Sequence, residues 1–197
     1  KALMMRVWPA AVARGAEEVA DMAAIARKEP KHAGLVIEPW DYLYYAEKVR
    51  KAKYALSEDE IKPYFELDNM IAASFYMAER LYGLTFEEIT GKVPVFHPDV
   101  RVWEVKDQAT GAHRGLFYGD YFARAAKRSG AWASLYRWHE TFAGKRTLLS
   151  SNNNNFVRGA SGEPVLISWD DAETLFHEFG HALHGLLSEV NYPTLAV

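Results

Sequence analysis

The chain has 197 residues, 49% hydrophobic and 14% aromatic, which is enough apolar material for one folded domain with a core. Its 23 basic and 26 acidic residues give a formal charge of −3, which argues against binding to nucleic acid or to an anionic membrane surface. No apolar run is long enough to predict a spanning helix, and the opening residues lack the pattern of a signal peptide. Since the sequence contains no cysteine, it excludes disulfides, thiolate zinc sites and cysteine nucleophiles.

The first half of the chain has the patterns of helices. Apolar spacing, capping pairs and a glycine stop predict these segments: Lys1 to Arg27 in two pieces hinged near Pro9, Trp40 to Tyr54, a short helix capped by Ser57 and Glu60, Glu66 to Tyr82 before Gly83, and a short helix from Thr85 to Gly91.

The middle of the chain has the alternating pattern of strands. The predicted strands are Val100 to Val105 and Arg114 to Tyr121, which form a hairpin, and the shorter segments Arg146 to Ser150 and Pro164 to Ser168. The polar stretch Ser151 to Gly162 is interpreted as a loop, in which Asn152 to Asn155 are solvated. Together with the helices, these elements predict a mainly α fold with a small antiparallel β-sheet.

A long helix is predicted near the end of the chain. Ser168 and Asp171 form an acidic capping pair, and no proline follows until after Ser188, so we expect about five turns. At 100° per residue, a stripe of histidines lies on one face, with Glu178 beside it. The members of this stripe are His177, His181 and His184. The opposite face is apolar and consists of Leu175, Phe179, Ala182, Leu183 and Leu186.

The segment His177-Glu178-Phe179-Gly180-His181 matches the motif H-E-x-x-H. In this motif two histidines one turn apart direct their imidazoles at one zinc ion, and the glutamate is the general base toward the attacking water. The spacing therefore predicts His177 and His181 as metal ligands and Glu178 as the catalytic residue of amide hydrolysis. The alternative interpretation is a set of surface histidines on an ordinary amphipathic helix.

A catalytic zinc site normally has a third protein ligand. The metzincin pattern is excluded, because it would require histidine where Leu187 stands. His184 lies about 10.5 Å along the helix from His177, so we expect it to face substrate or to support a ligand. Glu189 would require an abrupt break after Leu187. We therefore expect the third ligand to be a glutamate on a later helix that is absent from this chain.

Several further segments carry a family resemblance. They are Pro39-Trp40-Asp41, Tyr45 to Arg50, Lys62 to Leu67, His97 to Glu104, Leu116 to Arg124, Gly162-Glu163-Pro164 and Phe176 to Gly185. With the motif, they make the chain from about Leu35 to Leu195 similar to the thimet oligopeptidase, neurolysin and oligopeptidase A family of zinc metallopeptidases, and above all to its bacterial peptidyl-dipeptidase branch.

The resemblance implies a two-lobed, zincin-type peptidase whose lobes flank a deep channel. We interpret residues 1–197 as a single partial catalytic domain, helical over 1–92, β-rich over 93–168, and with the zinc helix at about 169–188. The implied activity is hydrolysis of short oligopeptides with release of C-terminal dipeptides. The implied cofactor is one Zn²⁺ per active site, the partners are short peptide substrates, and neither a nucleic acid nor a membrane partner is expected.

The family enzymes are far longer, so the chain is expected to be an internal fragment or a truncated form. Without the third ligand we expect the isolated chain to bind zinc weakly or not at all and to be inactive. The alternative is a noncatalytic helical module that acts in binding or assembly. The apolar face of the last helix is expected to lack its covering helices, so we expect the fragment to self-associate. The expected compartment is the cytoplasm, with the periplasm as the alternative.

One segment departs from the family pattern. Family members often have cysteine where this chain has Asn154, and the run from Ser150 to Asn154 is more polar than the strand expected there. We therefore expect no edge strand at this place that could pair with substrate backbone.

Overall fold

The computed structural model describes residues 1–55, 58–160 and 162–196. The chain divides into two compact units, Lys1–Glu60 and Ile61–Val197. The helices are α1 (Ala2–Ala26), α2 (Tyr42–Tyr54), α3 (Glu58–Ile61), α4 (Leu67–Tyr82) and α5 (Trp169–Leu187), with 3₁₀ turns at Lys62–Tyr64 and Pro193–Leu195. The strands are β1 (Leu84–Glu88), β2 (Arg101–Asp107), β3 (His113–Phe122), β4 (Trp132–Arg137) and β5 (Leu148–Phe156). None of the helices in the described part is long and apolar enough to cross a membrane.

The first unit is built around α1 and α2. The predicted hinge at Pro9 is wrong, because α1 is one helix with this proline inside it. A proline removes only one backbone hydrogen bond, and the alanine-rich sequence on either side favours the helical state enough to continue the helix. The predicted second helix is confirmed, and its Tyr45 packs with Met22 and Ala26 in a small core. The predicted cap at Ser57 lies outside the described residues.

The second unit contains one five-stranded sheet in the order β1-β2-β3-β5-β4. The predicted hairpin is confirmed as β2 and β3, which pair antiparallel. The prediction of a purely antiparallel sheet is wrong, because β3 and β5 are parallel neighbours. After β3 the chain crosses to the outer strand β4 and returns as β5 between the two. A hairpin pattern in the sequence cannot reveal such a crossover, since the paired strands are far apart along the chain.

The sequence predicted a short helix from Thr85 to Gly91, where the structure has the first strand of the sheet. That prediction is wrong, because Leu84–Glu88 pairs antiparallel with β2. The spacing of Thr85 and Glu88 imitates a capping box, but Phe86 stacks on Phe75 of α4 with ring centroids 4.2 Å apart. The burial of this aromatic pair in the main core outweighs a local capping preference of about 1 kcal/mol.

The polar run before α5 also differs from its predicted state. The stretch interpreted as a loop continues as strand β5 to Phe156, with Asn152, Asn153 and Asn154 buried inside the sheet. The predicted strand Pro164 to Ser168 forms only an isolated bridge between Leu166 and Glu66. The neighbouring strands pair with both backbone edges of β5, and α5 packs on the sheet, so β5 lies inside the fold despite its polar side chains.

The last helix is confirmed as a Pro-free helix with the predicted cap. The Ser168 side chain accepts a hydrogen bond from the Asp171 amide at 3.0 Å, and the Asp171 carboxylate accepts one from the Ser168 amide at 3.1 Å. The apolar face of α5 packs on the sheet and on α4, and its buried members are Leu175, Phe179, Ala182 and Leu186. The expectation that this face is left uncovered is therefore wrong, and it gives no reason for self-association.

Candidate active site

The motif histidines lie on the exposed side of α5. The ring centroids of His177 and His181 are 5.0 Å apart, and the ring planes make an angle of 80°. Both residues are exposed, and so is His184 one turn further on. Because the opposite face is held against the sheet, the helix presents two neighbouring imidazoles outward.

Glu178 lies beside the histidine pair at the edge of the buried face. It is only 8% exposed, and no residue in the described ranges gives its carboxylate a hydrogen bond or a salt bridge. An unpaired carboxylate at the border of a concave site is a candidate for catalysis. Glu178 lines an open concave surface whose other residues are Ala131, Glu173, Thr174, Phe176 and His177.

The two imidazoles suit a transition metal ion. Imidazole nitrogen is a common ligand of zinc, and two histidines at i and i+4 can approach one ion from the same side of a helix. The rings of His177 and His181 are close together and exposed, so an ion could reach both. Over residues 1–55, 58–160 and 162–196, no group of three or more histidine, aspartate or glutamate side chains forms a ready metal site.

The two other candidate residues lie apart from this pair. His184 lines a different concave surface, together with Tyr82 and Leu187. Glu189 forms a salt bridge with Arg114, and the hydrogen bond from this guanidinium lowers the pKa of the Glu189 carboxyl. The Glu189 carboxylate is thus already bound to a cation at the end of α5.

The segment that leads into β4 reaches the candidate site, and the sequence patterns missed this strand. It forms the outer edge of the sheet, and Ala131 just before it lines the same concave surface as His177 and Glu178. The interior strand β5 holds β4 in register, and the Asn153 side-chain amide donates to the Trp132 carbonyl at 3.0 Å. The edge strand at the site is therefore β4, whereas the polar run considered for that role is an interior strand.

A buried ion cluster fixes the loop that leads into β4. The Lys127 ammonium donates to the backbone carbonyls of Asp120 and Phe122 at 2.8 and 2.9 Å, and to that of Asn154. Burial opposes ionisation of Asp120, but hydrogen bonds from Arg124 and Lys127 hold the pKa of its carboxyl below the ordinary value. The cluster joins β3 and β5 to the segment before β4. No motif in the sequence predicted it.

The comparison with known families covers nearly all of the chain. A profile of peptidase family M3 matches residues 2–197. The dipeptidyl carboxypeptidase of Escherichia coli K12 is 43% identical over 194 residues, which are 98% of this chain and 28% of that protein. The dipeptidyl carboxypeptidase of Salmonella typhimurium LT2 is 42% identical over the same shares.

A second group of relatives is more distant. Oligopeptidase A of Escherichia coli K12 is 36% identical over 180 residues, which are 90% of this chain and 26% of that protein. The chain thus spans little more than a quarter of the length of the curated relatives it matches. The match to the family profile along nearly the whole chain confirms the resemblance that the motifs indicated, and the chain belongs to peptidase family M3.

Proposed function

We propose that this chain carries the catalytic motif of a zinc metallopeptidase that hydrolyses short oligopeptides and releases dipeptides from their C-terminus. The observation that carries the proposal is the side-by-side placement of His177 and His181 on α5, with the unpartnered Glu178 in the same concave surface as His177. The names of the relatives, dipeptidyl carboxypeptidase and oligopeptidase A, support this choice of substrate and product.

Each motif residue has a separate role in this proposal. His177 and His181 hold the zinc ion through ring nitrogens. When bound, zinc supplies Lewis acidity, which polarises a scissile carbonyl and makes water more acidic. The Glu178 carboxylate accepts a proton from the attacking water and then delivers it to the leaving amine nitrogen. Partial burial without a hydrogen-bond donor leaves both oxygens of Glu178 available for this transfer.

The proposal takes the third zinc ligand from outside these 197 residues. A site with only two protein ligands binds zinc weakly and holds it in poor geometry, so the isolated chain is inactive or nearly so. His184 faces substrate or supports a ligand rather than binding the ion, since it lies on another concave surface. Residues 1–197 are one part of a two-lobed, channel-containing catalytic domain, as the family resemblance implies.

Peptide substrate lies along β4 in this account. The outer side of this strand is paired with no strand in the described part of the chain, so its backbone groups are open to an added strand. Addition of an extended peptide to a sheet edge gives backbone hydrogen bonds that do not depend on peptide sequence. The start of β4 is next to the concave surface of Glu178, which brings the bound peptide to the catalytic residue.

A chimera tests the proposed function. Residues 1–197 would replace the matching segment of the Escherichia coli dipeptidyl carboxypeptidase, which supplies the remaining part of the enzyme. We expect zinc-dependent release of C-terminal dipeptides from short peptides, detected by mass spectrometry. The Glu178→Gln chimera should lose about 10²-fold or more in kcat because the amide cannot accept the proton.

Zinc content and circular dichroism control for folding of both chimeras. The Gln variant should keep its zinc and its helical signal, since the substituted side chain has almost the same shape. A folded, zinc-loaded chimera without peptidase activity would contradict the proposed function. Retention of activity within tenfold in the Gln variant would remove Glu178 from the role of base.

A further inference from the structure

A small apolar recess lies beside the first turns of α5. Its volume is about 200 Å³ and its lining surface is apolar. The residues that line it are Phe65, Met70, Trp169, Ala172, Glu173 and Phe176. The first two belong to the start of α4 and the segment before it, and the other four form one side of α5.

The walls of this recess are fixed by the backbone. The Leu67 amide donates to the Val165 carbonyl at 2.8 Å, and the Ile167 amide donates to the Phe65 carbonyl at 2.9 Å. These two bonds join the segment before α4 to the segment before α5. The Phe65 ring then meets Trp169 edge to face, with centroids 5.4 Å apart. The recess is therefore formed in advance and needs no rearrangement to admit a ligand.

The rim of the recess exposes large aromatic surface. Trp169 is 53% exposed and Phe176 is 37% exposed, although both lie next to a buried core. Solvent-exposed aromatic side chains around a concave apolar site are typical of binding sites for small ligands. The volume is below the roughly 300–1,000 Å³ of sites for drug-sized molecules, so the recess suits one side chain.

The recess borders the concave surface of the candidate active site. Glu173 and Phe176 line both the recess and the concave surface of His177 and Glu178. Phe176 directly precedes the first motif histidine in the chain. A peptide held at Glu178 would therefore have a side chain within reach of the recess. Among the described residues that line the recess, Glu173 alone carries a charge, which disfavours an acidic side chain there.

We propose that this recess is a subsite for the large apolar side chain, aromatic or aliphatic, of a peptide residue next to the cleaved bond. Its part in cleavage rests on the proposed function, whereas binding of an apolar side chain does not. Glu173 and Phe176 lie between the two surfaces, and Met70 and Phe65 form the wall that α4 and the segment before it contribute. The subsite selects substrates by side-chain size, and it discriminates against alanine and against acidic residues.

Binding is tested on the 197-residue chain by NMR of methionine methyl groups labelled with ¹³C. The probe is N-acetyl-phenylalaninamide, compared with N-acetyl-alaninamide, and the Met70 signal is identified by its loss in Met70→Leu. We expect the Met70 methyl to shift on titration with the phenylalanine compound, with at least about tenfold tighter binding than for the alanine compound. Met77 on the exposed side of α4 is the internal control and should not move.

Two variants test whether the phenylalanine compound binds in the recess. Phe176→Ala should weaken binding of the phenylalanine compound about tenfold, because the rim loses its aromatic wall. Tyr76→Ala removes another exposed aromatic residue, which does not line the recess, and should leave binding unchanged. An unmoved Met70 methyl, or equal binding of the two compounds, would overturn the proposed subsite.

The chimera separates this inference from the proposed function. If Met70 shifts but no peptide is hydrolysed, the proposed function is wrong and the apolar subsite stands. If peptides are hydrolysed without preference for phenylalanine over alanine at any position, and Met70 does not move, the subsite is wrong and the function stands.

Discussion

Gly185 of α5 lies directly on Leu148 of β5. A Cβ atom at position 185 would stand 2.9 Å from the Leu148 Cδ2 and 3.2 Å from its Cδ1, closer than carbon atoms pack. The lack of a side chain at position 185 allows α5 to approach β5 this closely. Gly180 on the same helix has no atom within 4 Å of a Cβ placed there.

The two glycines should respond oppositely to substitution by alanine. Gly180→Ala should stabilise the fold by about 0.5–1 kcal/mol, since alanine favours the helix and enters open space. Gly185→Ala should destabilise it, because overpacking costs about 1–3 kcal/mol and outweighs the same helical gain. Urea unfolding followed by circular dichroism measures both. Equal stabilisation by both variants would show that α5 does not lie on Leu148.

The buried ammonium of Lys127 should be essential to the fold. Its side chain and that of Asp120 are each 2% exposed, and their Nζ and Oδ1 atoms are 3.2 Å apart. Lys127→Met removes the cation and leaves the carboxylate and the backbone carbonyls short of a donor. The Arg124 guanidinium still pairs with the Asp120 carboxylate, so the cost comes mainly from the buried carbonyls that lose their charged donor, at about 1–3 kcal/mol each.

The matched control is Lys106→Met on the surface of the sheet. Lys106 contacts Glu87 and Glu104 at 2.8 and 3.0 Å, but these pairs lie at the surface, where water and salt screen them. Chemical denaturation should therefore show a much larger loss of unfolding free energy for Lys127→Met than for Lys106→Met. Losses of equal size would contradict the buried character of the cluster.

The free energy of unfolding should depend on pH in the acidic range because of Asp107. The Arg114 guanidinium, with help from Thr110, lowers the pKa of the Asp107 carboxyl from 3.8 to about 2. A carboxyl whose pKa is lower in the folded chain than in the unfolded chain stabilises the fold at pH values above its unfolded-state pKa. This stabilisation is lost as the pH falls through the folded-state pKa. Asp107→Asn should therefore be less stable than the native chain at pH 7, and the difference should disappear between pH 4 and pH 2. A difference in melting temperature that stays constant over this range would contradict the ion pair.

The sequence predicted α5 well because its signals are local. The reciprocal cap of Ser168 and Asp171, the lack of proline and the separation of apolar and polar faces all act within a few turns of one helix. The neighbouring placement of His177 and His181 follows from helical periodicity alone, so it could be predicted without the fold. Their role as metal ligands, with Glu178 as base, stays a prediction.

The sheet and its surroundings could not be predicted, because they depend on contacts between residues far apart in the sequence. The crossover that places β5 beside β3 brings together residues such as Phe117 and Ser150, which are far apart in sequence. Polarity then misled the interpretation of Asn152 and its neighbours, because burial came from strands that local patterns do not identify. The apolar recess at Phe65 and Trp169 likewise exists only once α4 and α5 are joined, so no periodicity could have shown it.

Zinc titration of the 197-residue chain, by competition with a chromophoric chelator, tests the central claim most directly. The account predicts weak binding of one ion, at least about tenfold weaker in His177→Ala and in His181→Ala, which is about 1.4 kcal/mol of binding free energy. Glu178→Gln should leave the affinity unchanged, because the Glu178 side chain does not bind the ion. Zinc affinity that survives the loss of both motif histidines would contradict the account.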